Sequence, residues 1–295
     1  MTFFKPMLAK NWEDFSNKVK YPLICQPKIN GIRAVWDGKN LYSRYGNLIG
    51  QTQKKLLGYL KKHFSNSCLD GELYDFDMSL QQIMGAATTE TGTTAELCYI
   101  VFDLSLPKLP NMCYRDRFDI LMDKMRDNNI SLNTEDKILL VDSHMVSGNS
   151  EVEKWIQIYI DKNGWKKPYE GVMLKNPEAI YAHTRTNVLL KYKKWILATA
   201  VVEGVEEGKG KYIGMMGKLK VRMTACEDST IKVKEPFYVG TGFQDYERNV
   251  FWKNKANLIG RHIQISFRDL TQYNVPFHTS FNGVCVQEKK CAKKR

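Results

Sequence analysis

Apolar positions between Gln51 and Phe64 fall at Leu56, Leu57, Leu60 and Phe64, the three-and-four spacing that lines one face of a helix. Tyr114 to Asn128 repeats the pattern with Phe118, Leu121, Met122 and Met125. A third helix is predicted from Ser150, which makes a capping box with Glu153, through Trp155, Ile156 and Tyr159 to a stop at Gly164. Short apolar runs at Leu23-Ile24-Cys25, Ile32 to Trp36 and Leu41 to Ser43 predict strands, the last two joined by the hairpin signal Asp37-Gly38. Leu97 to Leu104 and Glu170 to Leu174 read as buried strands. Helices interleaved with mostly antiparallel strands predict an α+β domain over residues 1–196.

After Trp195 the texture changes. Gly204, Gly208, Gly210, Gly214, Gly217, Gly240, Gly242 and Gly260 punctuate short β-like runs, with one helix around Asp245 to Lys255. About 100 residues of this pattern suit a small all-β OB-fold barrel. The expected second domain is 197–295, ending in the basic tail Lys289, Lys290, Lys293, Lys294 and Arg295.

No apolar run approaches the roughly 18 residues of a membrane span, and Met1-Thr2-Phe3-Phe4-Lys5-Pro6 lacks a secretion signal. The expectation is a cytoplasmic protein with no membrane partner; the nucleus stays open. Seven scattered cysteines without a C-x-x-C pair read as reduced thiols. The 44 Lys and Arg against 32 Asp and Glu give a net charge of +12, which attracts polyanions. Nucleic acid is one such partner.

The candidate chemistry lies in Lys28-Ile29-Asn30-Gly31-Ile32-Arg33. Alone, this hexapeptide reads more readily as an ordinary Asn-Gly turn. A lysine that attacks phosphorus must be neutral, and nearby cations such as Arg33, Lys191 and Lys193 would disfavour its ammonium. Alternation along a strand puts Lys191 and Lys193 on one face, as two contacts to one phosphate require.

The chain resembles the covalent nucleotidyltransferases, whose Lys-x-Asp-Gly-x-Arg signature stands here as Lys28 to Arg33 with Asn30 replacing the Asp. Ser43-Arg44-Tyr45-Gly46, Asp70-Gly71-Glu72-Leu73, Tyr99 to Asp103, Glu170 to Lys175 and Leu189 to Trp195 follow in family order. Pro6-Met7-Leu8-Ala9 and Gly240 to Trp252 are similar to segments of the small two-domain ATP-dependent DNA ligases of phages and large DNA viruses.

That resemblance implies an adenylation domain followed by an OB-fold, and sealing of 5′-phosphate/3′-hydroxyl nicks in duplex DNA by a monomer. Lys28 would be the nucleophile that takes AMP from ATP, assisted by Arg33, Lys191 and Lys193. Gln26, Ile29, Phe102, Arg44 and Arg185 would hold the nucleotide, with Phe102 stacked on adenine. Glu72 and Glu170 would bind Mg²⁺ (or Mn²⁺) or the ribose, and Lys5, Arg44, Lys218 and Arg248 would contact DNA.

The C-terminal motif departs from the family, with Asn274 and Cys285 where basic residues are usual. Arg268, Lys289 and Lys290 are the candidates to orient pyrophosphate. Two other readings stay open: an mRNA guanylyltransferase and a nick-binding module without catalysis.

Overall fold

The computed structural model describes residues 4–285 apart from 93, 107, 129–136, 161–168 and 272. The expected helix stop at Gly164 and the basic tail lie outside the described residues. Contacts divide the chain into two units, Met1–Lys193 and Lys194–Arg295.

In the first unit a six-stranded sheet runs in the order Leu48–Ile49, Leu41–Ser43, Ile32–Trp36, Cys68–Tyr74, Cys98–Ser105, Ile138–Leu140. Its alternation buries Trp36, Leu69 and Tyr99 completely, with Leu56 and Leu60 of the Lys54–His63 helix in the same core. The Trp36 indole N–H donates to the Phe64 carbonyl at 2.9 Å, so this large ring is buried without losing its polar partner. The helix begins later than the apolar pattern suggests because the Gln53 N–H closes a turn onto Gly50 at 3.0 Å. The buried Gln53 side chain bridges elsewhere, donating to the Ala95 carbonyl and accepting the Leu97 N–H.

A five-stranded sheet, ordered Leu8–Asn11, Arg185–Lys193, Gly171–Lys175, Leu23–Lys28, His144–Val146, carries the chemistry. All its pairings are antiparallel except that of Leu8–Asn11 with Arg185–Lys193. Helix Asn149–Ile160 covers it through buried Val152 and Tyr159. An additional helix, Leu80–Thr88, buries Ile83, Ala86 and Ala87 on one face and is capped reciprocally by Ser79 and Gln82.

The second unit is an antiparallel sheet, ordered Phe237–Val239, Met216–Cys226, Ile196–Glu207, His262–Phe267, Ser280–Val284. Among the described residues, no ladder closes it into a full barrel; a single bridge, Thr241 to Ser280, joins its two ends. Leu219, Val221, Ile265 and Phe267 fill its core. The expected helix is broken at Asn254 into Asp245–Lys253 and Lys255–Leu258. Among the described residues no helix is long and apolar enough to cross a membrane.

Candidate active site

The register of three neighbouring strands sets out the site. Lys28 lies opposite Gly171, and Gly171 opposite Lys193; one step along, Gln26, Met173 and Lys191 form a parallel row. Side chains in one row share a sheet face, so both rows look into one cavity of about 240 Å³. Gly171 cannot carry a side chain there, since a Cβ would stand 2.0 Å from the Tyr192 carbonyl oxygen. Its bareness lets the Gly171 strand pass close to the Tyr192–Lys193 backbone.

Glu170 bridges the two lysines. Its N–H donates to the Lys28 carbonyl at 3.0 Å, while one carboxylate oxygen takes the Lys28 ammonium and the other the Lys193 ammonium. Burial pushes the Glu170 carboxyl up, but the two ammonium groups outweigh it and hold it below the usual range. Lys28 thus sits against an anion as well as near cations. Burial, with Lys193, Arg185 and Lys28 nearby, depresses the Lys191 ammonium.

Arg33 is fixed by a closed circuit. Its guanidinium grips buried Asp70 at 2.6 and 2.5 Å, and Nη2 also donates to the Met7 carbonyl at 3.2 Å. Asp70 accepts the Tyr181 hydroxyl, and Tyr181 in turn accepts the Met7 N–H at 3.1 Å. Both backbone groups of Met7 are therefore held, and Met7, Leu8 and Ala9 form part of the cavity wall. The Arg33 guanidinium lies 4.6 Å from the centre of the Phe102 ring.

Glu72 stands beside this circuit. Its Oε1 accepts the Gly31 N–H at 3.2 Å, and burial raises its carboxyl against the opposing pull of Lys28 and Arg33. Gly31 packs so tightly that a Cβ would lie 2.3 Å from the Leu73 carbonyl oxygen. The signature glycine is thus required by a close approach between loop and strand.

Gln26, Lys28, Ile29, Arg33 and Glu72 line the cavity, as do Phe102, Lys191 and Lys193. Exposed Arg44 and Arg185 stand at its rim, where Arg185 Nη1 donates to the Ala9 carbonyl. Lys5 is exposed and outside the lining. In the second unit, half-exposed Lys218 sits 3.7 Å from the Tyr238 ring centre and 3.1 Å from a Glu206 oxygen.

Arg248 requires a correction. It is 5% exposed, and its guanidinium donates to the carbonyls of Met216, Gly217 and Gly240 at 3.0, 2.7 and 2.8 Å. Those bonds tie the helix to the sheet, so the group is committed internally instead of facing a phosphate. Arg268 stacks 3.4 Å from the centre of the Trp195 ring, and Asn274 donates to the Lys232 carbonyl. Lys289 and Lys290 lie outside the described residues.

Sequence reasoning missed Lys175, which lines the cavity although buried. Its ammonium donates to the Phe102 carbonyl at 2.8 Å and lies 3.6 Å from Asp103, whose carboxylate also grips Arg117. Burial lowers this lysine to about 8. Its position at the end of a buried apolar strand was the available signal.

For a divalent ion the cavity offers oxygen donors only. Asp70 and Asp103 are committed to arginines, leaving Glu72 and Glu170 at the centre. Among the described residues there is no cluster of three or more His, Cys, Asp or Glu side chains suited to a metal. One or two carboxylates fit Mg²⁺, which takes its remaining ligands from phosphate and water.

A cavity in an α+β domain followed by an OB-like sheet is the architecture of a nucleotidyltransferase. Residues 6–193 match the ATP dependent DNA ligase domain, and residues 207–284 the DNA ligase OB-like domain. The chain belongs to the ATP-dependent DNA ligase family.

A DNA ligase of Haemophilus influenzae is 24% identical over 255 residues, covering 86% of this chain and 83% of that one. Among solved structures, one named Pmar-Lig_PreS3 is similar with a TM-score of 0.80 at 21% identity, over 95% of this chain and 67% of the other. A Lig E DNA ligase gives a TM-score of 0.73 at 23% identity, over 95% and 99%. Like its family, the protein is an enzyme that uses ATP, passes through a lysyl-AMP intermediate, and seals nicks in DNA.

Proposed function

We propose that Lys28 is the lysine that carries AMP. The observation supporting this reading is the row Lys28, Gly171, Lys193 with the Glu170 carboxylate bridging the two ammonium groups. Neutral Lys28 attacks the α-phosphorus, its N–P bond forms as the bond to pyrophosphate breaks, and pyrophosphate leaves with the electron pair. Attack requires Lys28 to part from Glu170, because a paired ammonium has no lone pair to offer. Lys191 and Lys193 neutralise the α-phosphate, Arg33 and Arg185 contact ribose or phosphate, and the Phe102 ring stacks on the adenine.

Mg²⁺ held by Glu72 and Glu170 would supply further neutralisation of phosphate charge. The AMP then moves to the 5′-phosphate of the nick, and the 3′-hydroxyl displaces it. Lys5, Arg44 and Lys218 contact the DNA backbone, and the enzyme acts as a monomer.

Incubation with α-labelled ATP tests the assignment: wild type acquires covalent label that stays with the denatured protein and, as a phosphoramidate, is released by acid, and Lys28→Ala acquires none. Label retained on Lys28→Ala, mapped to another lysine, would remove it.

A further inference from the structure

Gln26 is 1% exposed and shares the cavity face of its strand with Lys28. One end of its amide meets two hydroxyl oxygens, Tyr114 Oη at 2.7 Å and Ser143 Oγ at 2.8 Å. Each hydroxyl owns a single proton and has a backbone carbonyl within reach. Tyr114 donates to the Phe102 carbonyl at 3.0 Å, and Ser143 to the Val141 carbonyl at 3.3 Å.

A carbonyl can only accept, so both hydroxyl protons are committed away from Gln26. The two oxygens are left as acceptors, and the amide end facing them must be the NH₂. Reversing the amide would set three oxygens against one another, or strip two backbone carbonyls of their hydroxyl donors. Burial pushes the Tyr114 phenol well above its ordinary range, so it keeps the proton it donates.

We infer that Tyr114 and Ser143 are positioning residues that lock Gln26 with its carbonyl oxygen toward the cavity and thereby set the enzyme's choice of adenine over guanine. The inference rests on the reading that this cavity takes the nucleotide base. A fixed carbonyl oxygen accepts from the 6-amino group of adenine. Guanine presents a 6-oxo group there, acceptor against acceptor, and a fixed buried amide cannot turn to suit it. The device also reaches the stacking ring, since the Phe102 carbonyl that holds the Tyr114 proton accepts from Lys175 as well.

The test is the rate of covalent nucleotidyl-enzyme formation with α-labelled ATP, GTP and inosine triphosphate, which has the 6-oxo group without the 2-amino group. Wild type is compared with Tyr114→Phe, Ser143→Ala, the double variant and Gln26→Ala, with a thermal melt to confirm folding. The expected result is an ATP:GTP ratio of kcat/KM that falls at least about tenfold in the double variant and roughly threefold in each single one, with inosine triphosphate gaining alongside GTP.

A merely structural role would lower all three nucleotides in parallel. That outcome, with Gln26→Ala still collapsing the ratio, overturns the positioning role. An unchanged ratio in Gln26→Ala would instead overturn the base-reading assignment on which the inference stands. If the double variant fails to fold, the single variants decide, and unchanged ratios in both overturn the inference.

Discussion

Gly171 faces Lys28 directly across one antiparallel ladder and packs against the Tyr192–Lys193 backbone across the next. The relation is steric before it is chemical. Adding one methyl group at Gly171 drives a carbon to 2.0 Å from the Tyr192 carbonyl oxygen, which rigid backbone on the next strand cannot yield cheaply. Gly171→Ala is therefore expected to displace Lys193 from Lys28 and slow lysine adenylation about a hundredfold, the usual cost of an ångström of misplacement. Single-turnover labelling measures this; a rate within twofold of wild type contradicts it.

The Glu170 carboxylate pairs with the Lys28 ammonium, so its removal should separate the exposure of that amine from adenylation. In Glu170→Gln the Lys28 side chain loses its ion-pair partner and is freed toward the cavity. Modification of Lys28 by an amine-selective reagent at pH 8, followed by peptide mapping, should accelerate. Adenylation should nevertheless fall, because the proposed Mg²⁺ site loses one of its two carboxylates. Slower modification in Glu170→Gln would show that the ion pair does not restrain Lys28.

Lys175 gives a stability prediction with a definite sign. Its folded-state value of about 8 lies below the ordinary lysine value of 10.5, so between those limits the unfolded chain binds more protons than the folded one. Stability then rises with pH across that window, and the cost of charging the buried ammonium is fully present below about pH 8. The rise amounts to at most about 3 kcal/mol. Urea denaturation at pH 7.5 and pH 10 should show it in wild type, with a flatter profile in Lys175→Met. Equal slopes in the two proteins would assign the rise to other groups.

Arg248 and Lys218 should separate folding from DNA binding. Arg248→Ala leaves three carbonyls without their donor and is expected to cost about 2–4 kcal/mol of stability. Lys218→Ala should leave the melting temperature nearly unchanged and lower the salt dependence of nicked-duplex binding by about one unit of slope. A stable Arg248→Ala protein with a reduced salt slope would return that arginine to the DNA interface.

The floor of the cavity could be read from the chain because its groups fall in pairs two residues apart along their strands. Lys191 and Lys193 share a face by alternation, and Gln26 precedes Lys28 by the same two residues. Arg248 was misread because nothing local distinguishes an arginine that points to water from one folded back onto carbonyls. The circuit through Met7, Tyr181, Asp70 and Arg33 was invisible for another reason: the Met7 to Tyr181 bond spans 174 positions, and only tertiary structure closes it. The glycine punctuation announced the second sheet, but not that a single bridge would join its ends.

The Leu8–Asn11 strand lies parallel to Arg185–Lys193, so nearly the first and the last segments of this unit are neighbours. During synthesis Lys28 emerges early, well before Glu170 and Lys193 exist to restrain it. The cavity that Lys28 lines consequently cannot be completed until that final strand has been made.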